Sequence, residues 1–382
     1  MTRRPEFNLA SGPAAMSPEA LGAIILPPAY TYDPVFLETY RALETDMRRL
    51  YGTAGDVVIL PAEAIAGLEA AVRGLGAPGR KGLALSSGGY GTWLGHMLAG
   101  TGTDVTEVGV APDGALRPAI VEAAVDEHGP FDVILMVHGE GACVNPLEEI
   151  AAIARSSGAI LVVDAVSTVG GMPLEVDRWG VDIVVASPHK CLSGPMPLAL
   201  MAVSDRAWDM IESNRGAPRN SFLSLLDYRH KWIHGGKFPS SPPVTDVVAT
   251  AAALRAVLEE GLDEVYARHA RASRAAWAGV IGLGLTPWAA SRDIASPSVT
   301  AARMPDGVSA GKLAAHIRAN YGVFLVDSGD TVRIGHMGET ARGMYPVIGV
   351  AALGRGLLDF GQEIDLGRGL EAALEVLSAG TV

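Results

Sequence analysis

Two apolar runs in this sequence each end on a group able to do chemistry. In GVDIVVASPHKCLSGP, residues 180–195, Lys190 follows a buried-strand pattern and is flanked by proline and glycine. An amine in such a place, its pKa lowered by desolvation or nearby cations, can form a Schiff base with an aldehyde. On this segment alone, a loop lysine that reaches its head group to solvent fits equally well. In AILVVDAVS, residues 159–167, Asp164 closes a second run. A carboxylate there can cap a helix or shape a turn. It can also face a ring nitrogen and keep it protonated, so that the ring accepts electrons from a carbanion. Asp164 and Lys190, each ending an apolar strand within one α/β unit, are more specific as a pair than singly.

Two further stretches border the same chemistry. LSSGGYG, residues 85–91, is a glycine-rich strand-to-helix turn with one aromatic. Tyr90 could stack on a planar ring and Val166 could close its other face, although a core tyrosine is the default reading of such a turn. ILPAEAIAGLEAA, residues 59–71, runs from a strand end into a helix. Free N–H groups and the helix dipole favour an anion at that point, and Glu63 supplies one.

Such residues need a frame that brings strand ends together. DVVIL, GLALSS, DVTEVGV, FDVILMV, AILVVDAVS, VDIVVAS and PLALMAVS alternate with Ala-rich stretches of helix length. Continuous apolar strands separated by helices predict an α/β protein with a mostly parallel seven-stranded sheet covered on both faces. Ligands of such sheets bind beyond the carboxyl ends of the strands. Residues 1–36, rich in Pro, Gly and Tyr, read as an irregular N-terminal arm, and VFLETYRALETDMRRLY, residues 35–51, as a helix. Residues 214–243 read as a loop, and 245–284 as a long helical stretch leading into a second region. There LTPWA, SVTAARMP, VFLVD and TVRIGHMG suggest a smaller sheet. The expected division is an arm over 1–36, a large domain over 37–260 and a small C-terminal α/β domain over 261–382.

Composition narrows the partners. With 382 residues, 49% of them hydrophobic and 19% charged, the chain is excluded from the disordered class. A formal charge of −12 leaves no basic stripe for nucleic acid or a membrane surface, so small-molecule substrates are expected. Cys143 and Cys191 are the cysteines, which gives neither a disulfide framework nor metal-ligand spacing, and no metal is expected. The N-terminal stretch lacks an apolar signal core, and no apolar run reaches the roughly eighteen residues of a membrane span. A cytoplasmic location follows as the expectation.

The arm with Ser11-Gly12-Pro13, together with PAEAIAGLEAA, SSGGYG, VVDAVSTVGG, SPHKCLSGP and TVRIGHMG, resembles the class V aminotransferases of fold type I through nearly the whole chain. That resemblance implies a large pyridoxal-binding domain and a smaller C-terminal one. It implies Lys190 as Schiff-base lysine and proton shuttle, Asp164 as partner of the ring nitrogen and Tyr90 as the stacking ring. It also implies Arg333 as the clamp for a substrate carboxylate, a task suited to a planar fork donor. In the family, glycine and hydroxyl residues usually form a phosphate cup at the helix start aligned with PAEAIAGLEAA. Here Glu63 stands there, and a carboxylate about 4 Å from a phosphate repels it by roughly 1 kcal/mol per charge pair in water and about 4 at an effective dielectric near 20.

YTYDPVF, APRNSFLSLLDY, ASPSVTAARMPDGV and RIGHMGETARGMYPVIGVAAL are similar to stretches of family members that take unphosphorylated pyridoxamine and pyridoxal as substrates. The implied reaction moves the amino group of pyridoxamine to pyruvate, giving pyridoxal and L-alanine, in vitamin B6 degradation. Glu63 would accept a hydrogen bond from the 5′-hydroxymethyl group, and no cofactor would be permanently bound. The alternative is a pyridoxal 5′-phosphate-dependent enzyme of the alanine or serine to glyoxylate kind. Glu63 would then only complement its helix dipole, leaving the phosphate to His189 and to Ser241 or Thr245 borrowed from a neighbouring subunit. A homodimer or homotetramer is implied in either case. VHGEGACVNP, residues 137–146, is shorter than its family counterpart, and the loop before Arg333 is short and offers no second arginine. The oxo-acid acceptor is left open among pyruvate, glyoxylate and oxaloacetate.

Overall fold

Each of the seven runs forms a strand; six are buried on both faces between helix layers, and the seventh, Asp104–Gly109, is a largely exposed edge strand. The computed structural model describes residues 5–379. Its main sheet comprises β1 (Asp56–Leu60), β2 (Lys81–Ser86), β3 (Asp104–Gly109), β4 (Val133–Val137), β5 (Ile160–Asp164), β6 (Ile183–Ala186) and β7 (Ala199–Val203). The spatial order is β1-β7-β6-β5-β4-β2-β3. Only β7 runs against its neighbours β6 and β1; the other pairings are parallel. As a result β1, β2, β4, β5 and β6 all end on one edge. Glu63, Tyr90, Glu140, Asp164 and Lys190 lie on the segments that leave that edge.

One face of the sheet packs Phe36, Tyr40 and Leu43 of the helix Pro34–Tyr51 with Leu147 and Ile150 of the helix Leu147–Ser157. The other packs Leu68 and Leu75 of the helix Ala64–Leu75 with Leu94, Leu98, Trp208 and Ile211. Ala64–Leu75 comes unusually near the strands. A Cβ on Gly67 would stand 2.7 Å from the Cβ of Ala199 and 3.1 Å from Cγ1 of Val185.

A second, antiparallel sheet places Thr331–Gly335 between Val299–Arg303 and Val326–Ser328. Its core joins Val280, Leu313, Ile317, Ile334, Val350 and Leu353 with Leu9 from the N-terminal arm. Within the described residues no helix is long and apolar enough to cross a membrane, and no cluster of His, Cys, Asp and Glu could hold a metal ion. Both cysteines are free and buried.

Several local expectations give way. The arm is not irregular throughout: Phe7–Asn8 pairs with Val323–Phe324, and Pro18–Ile24 is a helix capped by Ser17. Within 214–243, Leu225–Asp227 and the wide-turn helix Tyr228–Ile233 form, stabilised by Trp232 stacked on Phe238 at 4.1 Å; segments this short carry no readable period. The long helical stretch breaks at Gly261, whose φ of +92° lies outside the helical region. LTPWA forms no strand but one bridge, Pro287 with Ala302, since proline cannot donate to a ladder. We propose Gly261 as the boundary between the two domains, because Val244–Glu260 packs on Pro34–Tyr51 whereas Leu262–Gly282 packs on Tyr345–Asp359 and Leu366–Ser378.

Replacing Gly67 with valine should overpack the contact of Ala64–Leu75 with β6 and β7 and cost about 1–3 kcal/mol. Urea unfolding should show a lower midpoint at unchanged slope; an unaltered midpoint would mean that the helix can lift off the sheet freely.

Candidate active site

Lys190 lies in a tight loop after β6. Gly194 N donates to Pro188 O at 2.8 Å and Ser193, at φ +53°, donates from N to Lys190 O at 3.0 Å. The amine points back across the strand ends, where Nζ donates to the backbone O of Ser11 at 2.9 Å. Desolvation lowers its pKa and Arg333 adds to this, while Cys191, Asp164 and Glu63 pull the other way. The shift favours the neutral, nucleophilic form of the amine.

Asp164 ends β5, almost fully buried at 6% exposure, and its Oδ1 accepts from Val166 N at 2.9 Å. Burial raises its pKa to about 6, against the pull of that hydrogen bond and of Lys190. An expensive buried carboxylate of this kind is relieved by a cationic partner, and a protonated ring nitrogen supplies one.

A cavity of about 350 Å³ brings Glu63, Tyr90, Asp164, Val166, His189 and Lys190 together, with Ile65, Leu68 and Val137 in its apolar wall. Glu63 is the N-cap of Ala64–Leu75, accepting from Ile65 N at 2.9 Å, so it occupies the positive helix end and lines the cavity at once. His189 is held through Nδ1 by Ser187 Oγ at 2.7 Å, and burial lowers its pKa to about 4, which keeps it neutral. Ser241 and Thr245 are not among the residues lining this cavity.

Arg333 sits in the middle strand of the second sheet, opposite Ala301 and Val326. It lines an adjoining cavity of about 500 Å³ with Ser87, Trp288, Ser328 and Glu140, and Tyr90 and Trp93 line both cavities. Nη2 donates to Ser328 Oγ at 2.9 Å, whereas Nε is buried without a hydrogen-bond partner among the described residues. The short loop noted before Arg333 is a hairpin, Val326–Ser328 against Thr331–Gly335, turned at Gly329 with φ +60°. A half-buried guanidinium with an unserved N–H is chemically suited to a carboxylate.

The predicted site residues thus fall into two joined cavities. Sequence reasoning missed Ser11, Trp93 and Glu140. Ser11 acts through its backbone carbonyl, which has no signature. Glu140 follows an apolar run just as Asp164 does, and the same signal would have found it. The set fits a flat pyridine ring bearing an aldehyde or aminomethyl group: an amine at Lys190, a buried carboxylate at Asp164, and Tyr90 and Val166 for the faces. A phosphate on that ring does not fit equally well, because the helix end at Ala64 is already capped by Glu63.

Comparison with known proteins gives the same direction. The family model for aminotransferase class-V matches residues 90–338. A pyridoxamine–pyruvate transaminase of Mesorhizobium japonicum is 37% identical over 382 residues, covering 98% of this chain and 97% of its own length. An L-aspartate–glyoxylate aminotransferase of Paracoccus denitrificans is 32% identical, covering 95% of this chain and 94% of its own. The crystal structure of pyridoxamine-pyruvate aminotransferase from Mesorhizobium loti superimposes with a TM-score of 0.96 at 37% identity, over 99% of this chain and 98% of that one.

The raised Asp164 pKa has a testable sign. Between pH 4 and 6 the folded chain binds a proton that the unfolded chain releases, so the stability this group contributes at low pH is lost as pH rises through about 6. In ligand-free protein, Asp164→Asn should therefore raise stability at pH 8 by roughly 2–3 kcal/mol, since each tenfold change in proton affinity is worth about 1.4 kcal/mol. The gain should vanish towards pH 4. Equal stability of the two proteins at pH 8, measured by thermal unfolding, would show that Asp164 is not desolvated.

Proposed function

The chain belongs to the class-V aminotransferases of fold type I, and from that premise we propose that it transfers the amino group of pyridoxamine to pyruvate, giving pyridoxal and L-alanine. The observation that carries the reading is Glu63: a chain carboxylate caps the helix end at the cavity where a phosphate would otherwise be received. The 37% identical pyridoxamine–pyruvate transaminase supports it.

In this reading Asp164 pairs with the ring nitrogen and Tyr90 and Val166 hold the ring faces. Glu63 accepts from the 5′-hydroxymethyl group. When bound, the ring supplies an electron sink for the carbon that loses its proton. Lys190 condenses with the aldehyde of pyridoxal and, when released, its Nζ takes the proton from one of the two carbons flanking the transferred nitrogen and returns it to the other. His189, neutral and fixed by Ser187, adds no positive charge that would favour a phosphate. Arg333 receives the carboxylate of pyruvate or alanine through its guanidinium, whose Nε–H has no partner among the described residues. No cofactor is then permanently bound, and the reaction belongs to vitamin B6 degradation in the cytoplasm. Tyr90, Trp93 and Met196 remain exposed around the cavity mouth, which favours a homodimer or homotetramer that covers them.

Titrating ligand-free protein with pyridoxal and with pyridoxal 5′-phosphate, followed by absorbance, should show tighter binding of pyridoxal. Glu63→Gly should reverse the order by improving the phosphate form at least tenfold. Glycine is a tolerated N-cap, so the helix loses only a few tenths of a kcal/mol. Tighter binding of the phosphate form by the unaltered protein would favour the phosphate-dependent alternative. Arg333→Gln should raise the KM for pyruvate about 10- to 100-fold while leaving the Kd for pyridoxal within about twofold, as expected for loss of a bidentate, charge-assisted pair. A parallel rise in both constants would remove Arg333 from the carboxylate site.

A further inference from the structure

The helix Gly89–Ala99, which carries Tyr90, starts without a cap of its own, since Gly88 at the N-cap has no side chain to accept a hydrogen bond. Its first N–H groups are served from elsewhere in the sheet. Glu140 lies beyond β4 in the hairpin Gly139–Glu140 against Cys143–Val144, turned at Gly141 with φ +63°. Its Oε1 accepts from Tyr90 N at 2.5 Å and from Gly91 N at 3.4 Å. Oε2 lies 3.5 Å from Ser87 Oγ, which accepts from Asn145 Nδ2 at 2.9 Å. The side chain is only 6% exposed. Gly88 makes room for it, because a Cβ there would stand 2.6 Å from Glu140 Cδ.

The Tyr90 ring itself is loosely held. It is 57% exposed, and its aromatic neighbour Trp93 stands 6.2 Å away at a tilt of 36°. A ring that must lie flat on a ligand needs its Cα fixed, and the firm contact at Tyr90 is on the backbone. Burial pushes the Glu140 pKa up while the Tyr90 and Gly91 N–H groups pull it down, so the N–H contacts favour the charged acceptor.

We propose that Glu140 is a positioning residue for Tyr90: its buried carboxylate clamps the N–H groups of Tyr90 and Gly91 and so sets where the tyrosine ring meets the pyridine ring of the substrate. The proposal rests on the reading of the site given above, in which Tyr90 stacks on that ring. Glu140 touches no reacting atom in this role. Its effect runs through Tyr90 and is therefore silent once the tyrosine ring is gone.

The test is the Kd for pyridoxal, by absorbance titration of the full-length ligand-free protein, in a double-mutant cycle. Glu140→Ala should weaken binding about tenfold, and Glu140→Gln, whose amide oxygen can still accept both N–H groups, should recover most of that loss. Gly88→Ala, which displaces the carboxylate without deleting it, should weaken binding as Glu140→Ala does. In a Tyr90→Ala background, Glu140→Ala should change Kd by less than twofold. An equal loss in both backgrounds, or full affinity in Glu140→Ala, overturns the proposal, as does a failure of Glu140→Gln to recover binding. A lowered KM for pyruvate in Glu140→Ala at unchanged pyridoxal affinity also overturns it, because Glu140 would then be acting on the carboxylate beside Arg333. The unaltered protein tests the underlying reading separately. If it prefers pyridoxal 5′-phosphate, the same cycle run with that ligand still decides the role of Glu140.

Discussion

A buried amine needs an acceptor, and the one that Lys190 has comes from the far end of the chain. Ser11 O lies 2.9 Å from Nζ, and Gly12, at φ +112°, leaves the space that a Cβ would take from the lysine head group. The arm that delivers this carbonyl is pinned on both sides. Ala14 N and Ser17 N donate to His189 O and Ser193 O of the lysine loop, each at 2.8 Å, while Leu9 bonds to Phe324, on the short strand paired with Phe7–Asn8, and to Gly335 of the second sheet. One extended segment therefore joins the lysine loop, the main sheet and the strand that bears Arg333. Removing the arm would leave the amine desolvated without its acceptor and part the two halves of the site.

The strand ends set the electrostatics. The central parallel strands β4, β5 and β6 are apolar up to their ends, so charged groups accumulate where the chain leaves the sheet, and there each must be satisfied. Two helices bordering the cavities receive a carboxylate of the chain itself at their positive ends: Glu63 caps Ala64–Leu75 from within, and Glu140 serves Gly89–Ala99 from a neighbouring strand. Such helix ends are ordinarily ready anion sites. In the proposed reading, with both filled by side chains, the cavity keeps its attraction for a cationic ring nitrogen, at Asp164, and loses much of its attraction for a phosphate. In the same reading Arg333 attracts a small carboxylate into the adjoining space.

Much of this was legible in the sequence, for physical reasons. Strands β4, β5 and β6 bury both faces and so read as unbroken apolar runs, against which Asp164 and Lys190 stand out. Glu63 was visible because a helix start has its own grammar. Glu140 carried the same strand-end signal as Asp164, but its partners did not show: the N–H groups it serves lie some 50 residues away and only the fold brings them together. The break at Gly261 was hidden because one glycine costs a helix only about 1 kcal/mol, too little to interrupt an otherwise strong apolar period. The helix Pro18–Ile24 was lost in a Pro- and Gly-rich stretch, although Ser17 before Pro18 is a helix-start signal.

In the proposed function, selection of an unphosphorylated ring falls to the helix end at Glu63. The most direct measurement is the ratio of kcat/KM for pyridoxamine to that for pyridoxamine 5′-phosphate, with pyruvate as acceptor and the unaltered protein as catalyst. A carboxylate–phosphate repulsion of about 1–4 kcal/mol per charge pair corresponds to a ratio from about five to nearly a thousand. A ratio in that range is the expected result. A ratio below one would contradict this role of Glu63 and return the protein to the phosphate-dependent members of its family.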